Sequence, residues 1–179
     1  MSKLFTINAF KNIKQTGSLF RSSKFLAEKL TDSLSPKENM VIVELGAGDG
    51  VITKQILAKM GADSKLYSYE INPIFVPRLN AIGDERLTVL NSSVAEITSD
   101  FKENEVDMVI SSLPLTNFDH AFKKQLMKDV KVLLKSEGQF IQYQYSKNDK
   151  KLLKNSFTGF TTNFCLLNFP PAFVYTCIN

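Results

Sequence analysis

Apolar and polar positions form blocks along this chain that predict strands and helices in alternation. Several short apolar runs end on a glycine, a proline or an acidic residue, as buried strands do, and most precede a stretch with helical periodicity. We place strands near residues 40–45, 65–70, 87–91, 106–112, 138–145, 160–168 and 172–178. Helices are expected near 24–34, 51–60, 73–81, 119–135 and 147–155, the first capped by Ser22 or Ser23. This alternation predicts an α/β fold with a mainly parallel sheet, helices on both faces, and ligands at the carboxyl ends of the strands.

The last two predicted strands pair differently from the others. Only Phe169, Pro170 and Pro171 lie between them, which is too short for a crossover helix, so an antiparallel hairpin at one sheet edge is expected. Cys165 and Cys177 fall on its two strands. The hairpin allows them to face each other, but we expect reduced core cysteines.

Length and composition limit the class of protein. The chain has 179 residues, of which 44% are hydrophobic and 22% charged, so we expect residues 1–179 to form one domain with its own core. It contains no apolar run of bilayer-spanning length and no signal peptide, which predicts a cytoplasmic protein. No cluster of metal ligands is visible, and the lone His120 is expected on a helix surface.

Basic residues concentrate at the start of the chain. The formal net charge is +4, and residues 1–27 contain no acid. Their cations, interleaved with leucine, isoleucine and phenylalanine, are Lys3, Lys11, Lys14, Arg21 and Lys24. Such a segment attracts an anionic membrane surface or a nucleic acid. The alternative is a helix that packs over the ligand crevice and keeps its lysines in water; we call residues 1–35 the basic leader.

A glycine-rich turn follows the first long apolar run. Residues 41–45 form a buried strand that leads directly into Gly46, Gly48 and Gly50 and then into a helix. Glycines allow a sharp turn and a close approach to a ligand, and the helix start presents free N–H groups. The spacing E-x-G-x-G-x-G differs from that of dinucleotide enzymes and of triphosphate-binding loops, and no lysine lies in the turn.

An acidic residue ends the second predicted strand. Glu70 follows the glycines by about twenty residues, where a carboxylate binds the ribose hydroxyls of a crevice-bound nucleoside. The alternative is that Glu70 only caps a helix that starts near Asn72 and Pro73.

The turn resembles the first motif of class I S-adenosylmethionine-dependent methyltransferases. This resemblance implies a Rossmann-like sheet of seven strands with one reversed, S-adenosylmethionine as cofactor and S-adenosylhomocysteine as product. The cofactor-binding candidates that it implies are Glu44, Gly46, Ala47, Gly48, Gly50, Glu70, Ile71, Ser92, Ser93 and Ser111. Where many relatives have Gly-Asp after the third strand, this chain has Asn91-Ser92, so the cofactor adenine is expected to bond to one of these residues or to a carbonyl.

The loop after the fourth strand indicates the methyl acceptor. In enzymes that methylate base amino groups, the pattern is Asn or Asp, then Pro, then an aromatic residue that stacks on the base. Here the loop reads Ser111-Ser112-Leu113-Pro114-Leu115, without amide or aromatic. Base stacking commonly contributes about 1–3 kcal/mol, so its loss weighs against a nucleic acid.

Several segments together are similar to the small bacterial phospholipid N-methyltransferases, which are themselves similar to ribosomal RNA adenine dimethyltransferases. These segments are residues 17–26, 44–50, 111–115, 139–146 and 168–172. The resemblance implies methylation of phosphatidylethanolamine at an anionic membrane surface, with the protein peripheral at the inner membrane. It implies substrate contacts for Arg21, Lys24, Leu113, Pro114 and Leu115, and involves no metal.

Tyr143 and Tyr145 are the catalytic candidates together with Ser111. The two tyrosines share one strand face near the crevice, where a hydroxyl or a ring favours the reacting amine, although tyrosine on a central strand is more often core. The alternatives are a ribosomal RNA adenine dimethyltransferase, a small-amine methyltransferase and a cofactor-binding protein without catalysis.

Overall fold

The computed structural model describes residues 23–34 and 39–179. Its centre is a seven-stranded sheet in the order β3-β2-β1-β4-β5-β7-β6. The strands are β1 (Val41–Leu45), β2 (Lys65–Tyr69), β3 (Leu87–Leu90), β4 (Val106–Ser111), β5 (Leu134–Gln144), β6 (Gly159–Cys165) and β7 (Ala172–Ile178). Strands β1 to β5 are parallel, and β7 runs antiparallel to both β5 and β6. The predicted fold class and its C-terminal hairpin are therefore confirmed.

The described residues contain six α-helices, of which the first precedes β1 and the other five connect strands. They are α1 (Lys24–Leu30), α2 (Val51–Lys59), α3 (Val76–Asn80), α4 (Ile97–Asp100), α5 (His120–Leu133) and α6 (Lys150–Ser156). Side chains cap two of them: Ser23 accepts the Leu26 N–H at 3.1 Å, and Asp119 accepts the Phe122 N–H at 2.7 Å. Such caps satisfy N–H groups that a helix start leaves free.

Two apolar cores cover the two faces of the sheet. Helices α1 and α2 pack on one face through residues such as Leu30 and Ile56, against Ile42 and Ile110. Helices α4, α5 and α6 pack on the other face, where Val109 lies in the core. Because both faces are covered, the central strands β1 and β4 are mostly apolar, as strands of parallel sheets generally are.

The strand register brings the functional residues to one edge of the sheet. Leu45 pairs with Tyr69 and with Ser111, and Ser111 pairs with Gln142, so the carboxyl ends of four strands meet there. We call this end of the sheet, formed by the carboxyl ends of the parallel strands and distinct from its lateral edge strands, the crevice edge. Phe173 pairs with Gln144, which places the start of β7 and the β6–β7 turn at the crevice edge too.

Several element boundaries differ from the sequence prediction. Strand β5 begins at 134 instead of 138, because the residues after α5 continue into the strand through an irregular register opposite Val106. Strand β6 ends at 165, helix α1 at 30, and α3 covers only 76–80. Helix α6 spans 150–156, and the short helix α4 was not predicted.

The two cysteines do not face each other. Cys165 pairs with Ala172, whereas Cys177 pairs with Phe160 at the other end of the hairpin. Both thiols are free and buried, and burial raises the pKa of Cys177 to about 12.

Candidate active site

The glycine turn is held against the neighbouring strand. The N–H groups of Gly46 and Ala47 donate to the Tyr69 carbonyl at 2.9 and 3.0 Å. Gly46, Gly48 and Gly50 have φ values of +81°, +55° and +83°, a left-handed backbone that L side chains rarely adopt. A Cβ at Gly48 would meet no protein atom within 4 Å, so the turn presents bare backbone to open space.

Glu70 lies directly beside this turn. One carboxylate oxygen accepts the Gly48 N–H and the other accepts the Asn72 N–H, each at 2.7 Å. Burial raises its pKa above the usual value, while these two hydrogen bonds oppose the rise. Glu70 thus contacts the glycine turn, and its predicted role as the ribose ligand stays a prediction. No helix starts at Asn72, since α3 begins at Val76.

Glu44 is an acid buried beneath the turn. One carboxylate oxygen accepts the hydroxyls of Thr53 and Ser68 at 2.7 and 2.6 Å. Its other oxygen, Oε1, is buried without a hydrogen-bond partner. Burial raises the pKa of Glu44 to about 7, opposed by the hydrogen bonds from Ser68 and Thr53 and supported by the charge of Glu70.

These features fit S-adenosylmethionine, which is cationic and carries a ribose. A buried carboxylate oxygen with no partner is costly unless a ligand or water completes its bonding. The open space at Gly48 admits a ligand against the backbone, and the Glu70 carboxylate stands at its side. Glu44, Gly48 and Glu70 are thus placed to hold this cofactor.

The loop after β4 packs against the same turn. Ser112 donates its hydroxyl to the carbonyls of Leu45 and Gly46, and a Cβ at Gly46 would lie 3.1 Å from the Ser112 Oγ. Ser111 is fully buried, and its Oγ accepts the Leu113 N–H at 3.3 Å. The loop therefore closes one side of the crevice.

Two glutamines hold this loop from strand β5. The Nε2 atoms of Gln142 and Gln144 both donate to the Leu113 carbonyl, at 3.0 and 3.2 Å. Of the three predicted acceptor contacts in this loop, Leu113 and Leu115 are buried in the core and Pro114 is partly exposed. The two glutamines occupy the two lone pairs of that carbonyl.

Tyr143 and Tyr145 stand together near the end of β5. Their ring centroids are 5.6 Å apart in an edge-to-face arrangement. Tyr143 is half-buried against the core under α1 and α2, on the sheet face that also carries Glu44, and Tyr145 is exposed. Strand β5 ends one residue before Tyr145, so the two tyrosines do not share a strand face as predicted, although their rings are in contact.

The remaining residues predicted to contact cofactor or acceptor differ in burial and in their position in the fold. Ile71, Ser92 and Ser93 are half-buried in segments that follow β2 and β3, and Ser93 caps a 3-10 turn by accepting the Ala95 N–H. Asn91 donates from its amide to the Glu70 carbonyl at 2.7 Å, which ties the β3 loop to the crevice. Lys24 is exposed at the start of α1, and Arg21 lies outside the described residues.

The sequence reasoning missed the residues that support the site. Thr53 and Ser68 fix Glu44, and Gln142 and Gln144 fix the acceptor loop. The available signal was polarity: each of Ser68, Gln142 and Gln144 is a polar residue flanked by aromatic or apolar residues in a central strand. In the described ranges, no three His, Cys, Asp or Glu side chains converge as metal ligands.

Comparison with known proteins identifies relatives of the whole chain. The ribosomal RNA adenine dimethylase family matches residues 9–151. The chain is 29% identical over 180 residues to an ornithine lipid N-methyltransferase of Singulisphaera acidiphila, covering 97% of this chain and 94% of the relative.

Solved structures agree with the fold. A SAM-dependent methyltransferase from Aquifex aeolicus superposes with a TM-score of 0.69 at 17% identity, over 94% of this chain and 97% of that one. A Burkholderia thailandensis 1,6-didemethyltoxoflavin-N1-methyltransferase with bound S-adenosylhomocysteine gives a TM-score of 0.70 at 14% identity, over 98% of this chain and 87% of that one. This chain therefore belongs to the ribosomal RNA adenine dimethylase family and is an S-adenosylmethionine-dependent methyltransferase.

Proposed function

We propose that the enzyme transfers a methyl group to the amine nitrogen of a membrane lipid. The observation that carries this proposal is the loop Ser111–Leu115, which lacks both groups that bind a flipped base. No residue in it has an aromatic ring, and its two leucines are buried in the core. A nucleobase has nothing there on which to stack.

The Leu113 carbonyl supports the same conclusion. It is the one backbone acceptor in the loop that Gln142 and Gln144 both engage. Because a carbonyl oxygen has two lone pairs, this one offers none to the amino group of an incoming base. An aliphatic amine, unlike the amino group of a planar base, does not require a hydrogen-bond acceptor in the plane of a ring.

The relative in Singulisphaera is an ornithine lipid N-methyltransferase, which supports a lipid amine as the acceptor class. Within that class we propose two acceptors, ornithine lipid and phosphatidylethanolamine. In the described part of the chain, no helix combines the length and the apolarity needed to cross a bilayer.

The chemistry requires alignment more than acid–base groups. When bound, S-adenosylmethionine would supply an electrophilic methyl group on a sulfonium sulfur. The glycine turn and the Ser111–Leu115 loop exclude water from the crevice and fix the direction of approach. The acceptor amine must first lose its proton to water, and the rings of Tyr143 and Tyr145 would then face the positive charge that its nitrogen acquires on methylation.

The tyrosine roles are testable by paired substitutions. Tyr143→Phe and Tyr145→Phe remove only a hydroxyl, whereas Tyr143→Ala and Tyr145→Ala also remove the ring. If the rings hold the cationic amine, the Phe variants keep most of their kcat/KM and the Ala variants lose about tenfold or more. Full activity in all four variants would exclude both tyrosines from the reaction.

A second candidate is adenine in ribosomal RNA, which the family match favours. The deciding experiment is transfer of labelled methyl from S-adenosylmethionine to three acceptors in parallel. These are vesicles with phosphatidylethanolamine, vesicles with ornithine lipid, and unmethylated ribosomal RNA, with an anionic lipid in both vesicles. Label in either lipid supports the proposal, whereas label in RNA alone overturns it.

A further inference from the structure

The turn between β6 and β7 exposes large apolar side chains to solvent. Leu166, Leu167 and Phe169 are 71%, 67% and 89% exposed, and Phe164 on the adjoining end of β6 is half exposed. We call residues 164–169 the hairpin tip. Isolated exposed apolar residues are ordinary, but four within six positions form a patch, and patches of this kind mark interaction surfaces.

The hairpin carries no charge at all. From Asn155 to Asn179 the sequence contains no Asp, Glu, Lys, Arg or His, whereas 22% of the whole chain is charged. Moving this tip out of water therefore requires no charged group to lose its hydration, which is the main cost of entering an apolar phase.

The tip lies at the edge of the sheet where the reaction takes place. Cys165 and Ala172 pair at the ends of β6 and β7, and the neighbouring Phe173 pairs with Gln144 at the carboxyl end of β5. The tip consequently projects from the crevice edge, beside the end of β5 where Tyr143 and Tyr145 lie.

The tip is anchored to the start of helix α1. Asn168 is buried between exposed neighbours; its Oδ1 accepts the Ser23 N–H at 3.1 Å and its Nδ2 donates to the Pro170 carbonyl at 2.7 Å. Lys24 and the half-exposed Phe25 follow Ser23 directly. The turn is therefore a fixed feature of the surface, and a cation stands near its base.

A second cation flanks the tip on the β5 side. The Nζ of Lys147 lies 5.0 Å from the centroid of the Phe173 ring. An apolar patch with cations around its base and none within it matches the layering of a membrane interface, where hydrocarbon lies beneath anionic headgroups.

We infer that the hairpin tip inserts into an anionic lipid bilayer and so places the crevice edge at the membrane surface. This inference rests on the proposed function, because it supplies the access to a lipid amine that such an acceptor requires. The competing occupant is a second copy of this chain on the uncharged edge strand β6. The lipid is favoured because the exposed apolar side chains cluster at the turn, while the exposed residues of β6 before Phe164 are Thr161, Thr162 and Asn163.

The absence of tryptophan from the sequence permits a direct test. In the full chain, Leu167→Trp introduces a single fluorescent reporter at the tip, and Val132→Trp introduces one at an exposed apolar position near the opposite edge, at the end of α5. Each protein is mixed with vesicles of phosphatidylcholine and phosphatidylglycerol in equal parts. Insertion predicts a blue-shifted emission of Leu167→Trp that lipids with quenchers on their acyl chains reduce, with no change for Val132→Trp.

Substitution of the exposed apolar side chains of the hairpin tip tests how much they contribute to membrane binding. Leu166→Ser, Leu167→Ser and Phe169→Ser combined should lower vesicle partitioning at least about tenfold, whereas Val132→Ser should not alter it. Turnover of acceptor in vesicles should fall in parallel, and turnover of a short-chain acceptor dissolved as monomers should stay unchanged. Circular dichroism of each variant confirms that the fold is intact.

The outcomes separate this inference from the proposed function. Insertion of Leu167→Trp without methylation of any lipid would leave docking established and remove the lipid acceptor. Methylation of lipid with a water-exposed Leu167→Trp would overturn docking and keep the acceptor. A blue shift that appears without vesicles and grows with protein concentration would assign the tip to a second copy and overturn the inference.

Discussion

Glu44 is a buried acid, and burying its ionised carboxylate lowers the stability of the folded protein. With its pKa raised from 4.5 to about 7, the folded protein binds a proton between these values that the unfolded chain has released. Its contribution to stability therefore falls as the pH rises through this window, and the penalty is complete above it. We expect Glu44→Gln to raise the free energy of unfolding at about pH 8 by as much as about 3 kcal/mol. Urea denaturation at a pH below 4.5 and at a pH above 7 measures this change in the free energy of unfolding.

The same substitution should weaken the binding of the cofactor. A neutral amide offers no charge to a cationic ligand, so we expect Glu44→Gln to lower the affinity for S-adenosylmethionine about tenfold or more by calorimetry. Glu85→Gln, at an exposed position, should alter neither quantity. Greater stability with unchanged affinity would mean that Glu44 does not contact the cofactor.

Gly48 and Gly83 form a matched pair of glycines. Both have positive φ, +55° and +69°, and a Cβ at either would meet no protein atom within 4 Å. Alanine at either site should therefore cost a similar strain of about 1 kcal/mol.

Only Gly48→Ala should affect the cofactor, because its Cβ enters the crevice, whereas Gly83 lies in the loop before β3 at the opposite edge. We expect at least a tenfold loss of affinity for Gly48→Ala, on the order of 1.4 kcal/mol, and none for Gly83→Ala. Equal affinities would place the cofactor away from the turn.

At the scale of elements, strand β5 positions the acceptor loop. Replacing both Gln142 and Gln144 by Met leaves the Leu113 carbonyl buried without a donor, which costs about 1–3 kcal/mol and releases the loop. We expect kcat for the acceptor to fall about tenfold or more, while the affinity for S-adenosylmethionine changes little.

Gln139→Met is the control for this variant, since Gln139 lies in the middle of the same strand, where it pairs with Met108 and not with the acceptor loop. A loss confined to KM, with kcat unchanged, would contradict a role in aligning the reaction and leave the glutamines as packing residues.

The sequence predicted those elements whose signals are local. Strand β1 and the turn at Gly46 were recognisable because an apolar run and three glycines lie within ten residues. The start of β5 was misplaced because its pairing with β4 includes an irregular register set by the partner strand. Helix α4 has four residues, too few for a periodic pattern.

The supporting contacts of the site were beyond sequence reasoning for a related reason. Gln142 and Gln144 bond to a carbonyl 29 and 31 positions earlier in the chain, and Ser68 bonds to a carboxylate 24 positions earlier. No spacing rule relates such pairs; only the order of strands in the sheet brings them together. The glycine turn and Glu70, by contrast, recur at a fixed separation because one strand and one helix connect them.

At the scale of the whole molecule, we propose that two segments attract the same partner, an anionic membrane, by different forces. The hairpin tip is apolar, and its contribution should be insensitive to salt. The basic leader acts through charge, and its contribution should fall as salt screens it. We therefore expect binding to anionic vesicles to decline with added salt to a plateau that the hairpin tip maintains.

Charge reversal in the full chain separates the two forces. Lys3→Glu, Lys11→Glu and Lys14→Glu combined should weaken vesicle binding at low salt on the order of a hundredfold, since each cation near such a surface contributes about 1 kcal/mol. The salt dependence should largely disappear and the plateau should remain. Reversal of three exposed lysines near the opposite edge, Lys65, Lys102 and Lys131, gives the same net charge. If that control loses binding equally, the net charge of the molecule governs association and the leader has no local role. If only the leader variant loses binding, the cations of the leader act locally on the membrane.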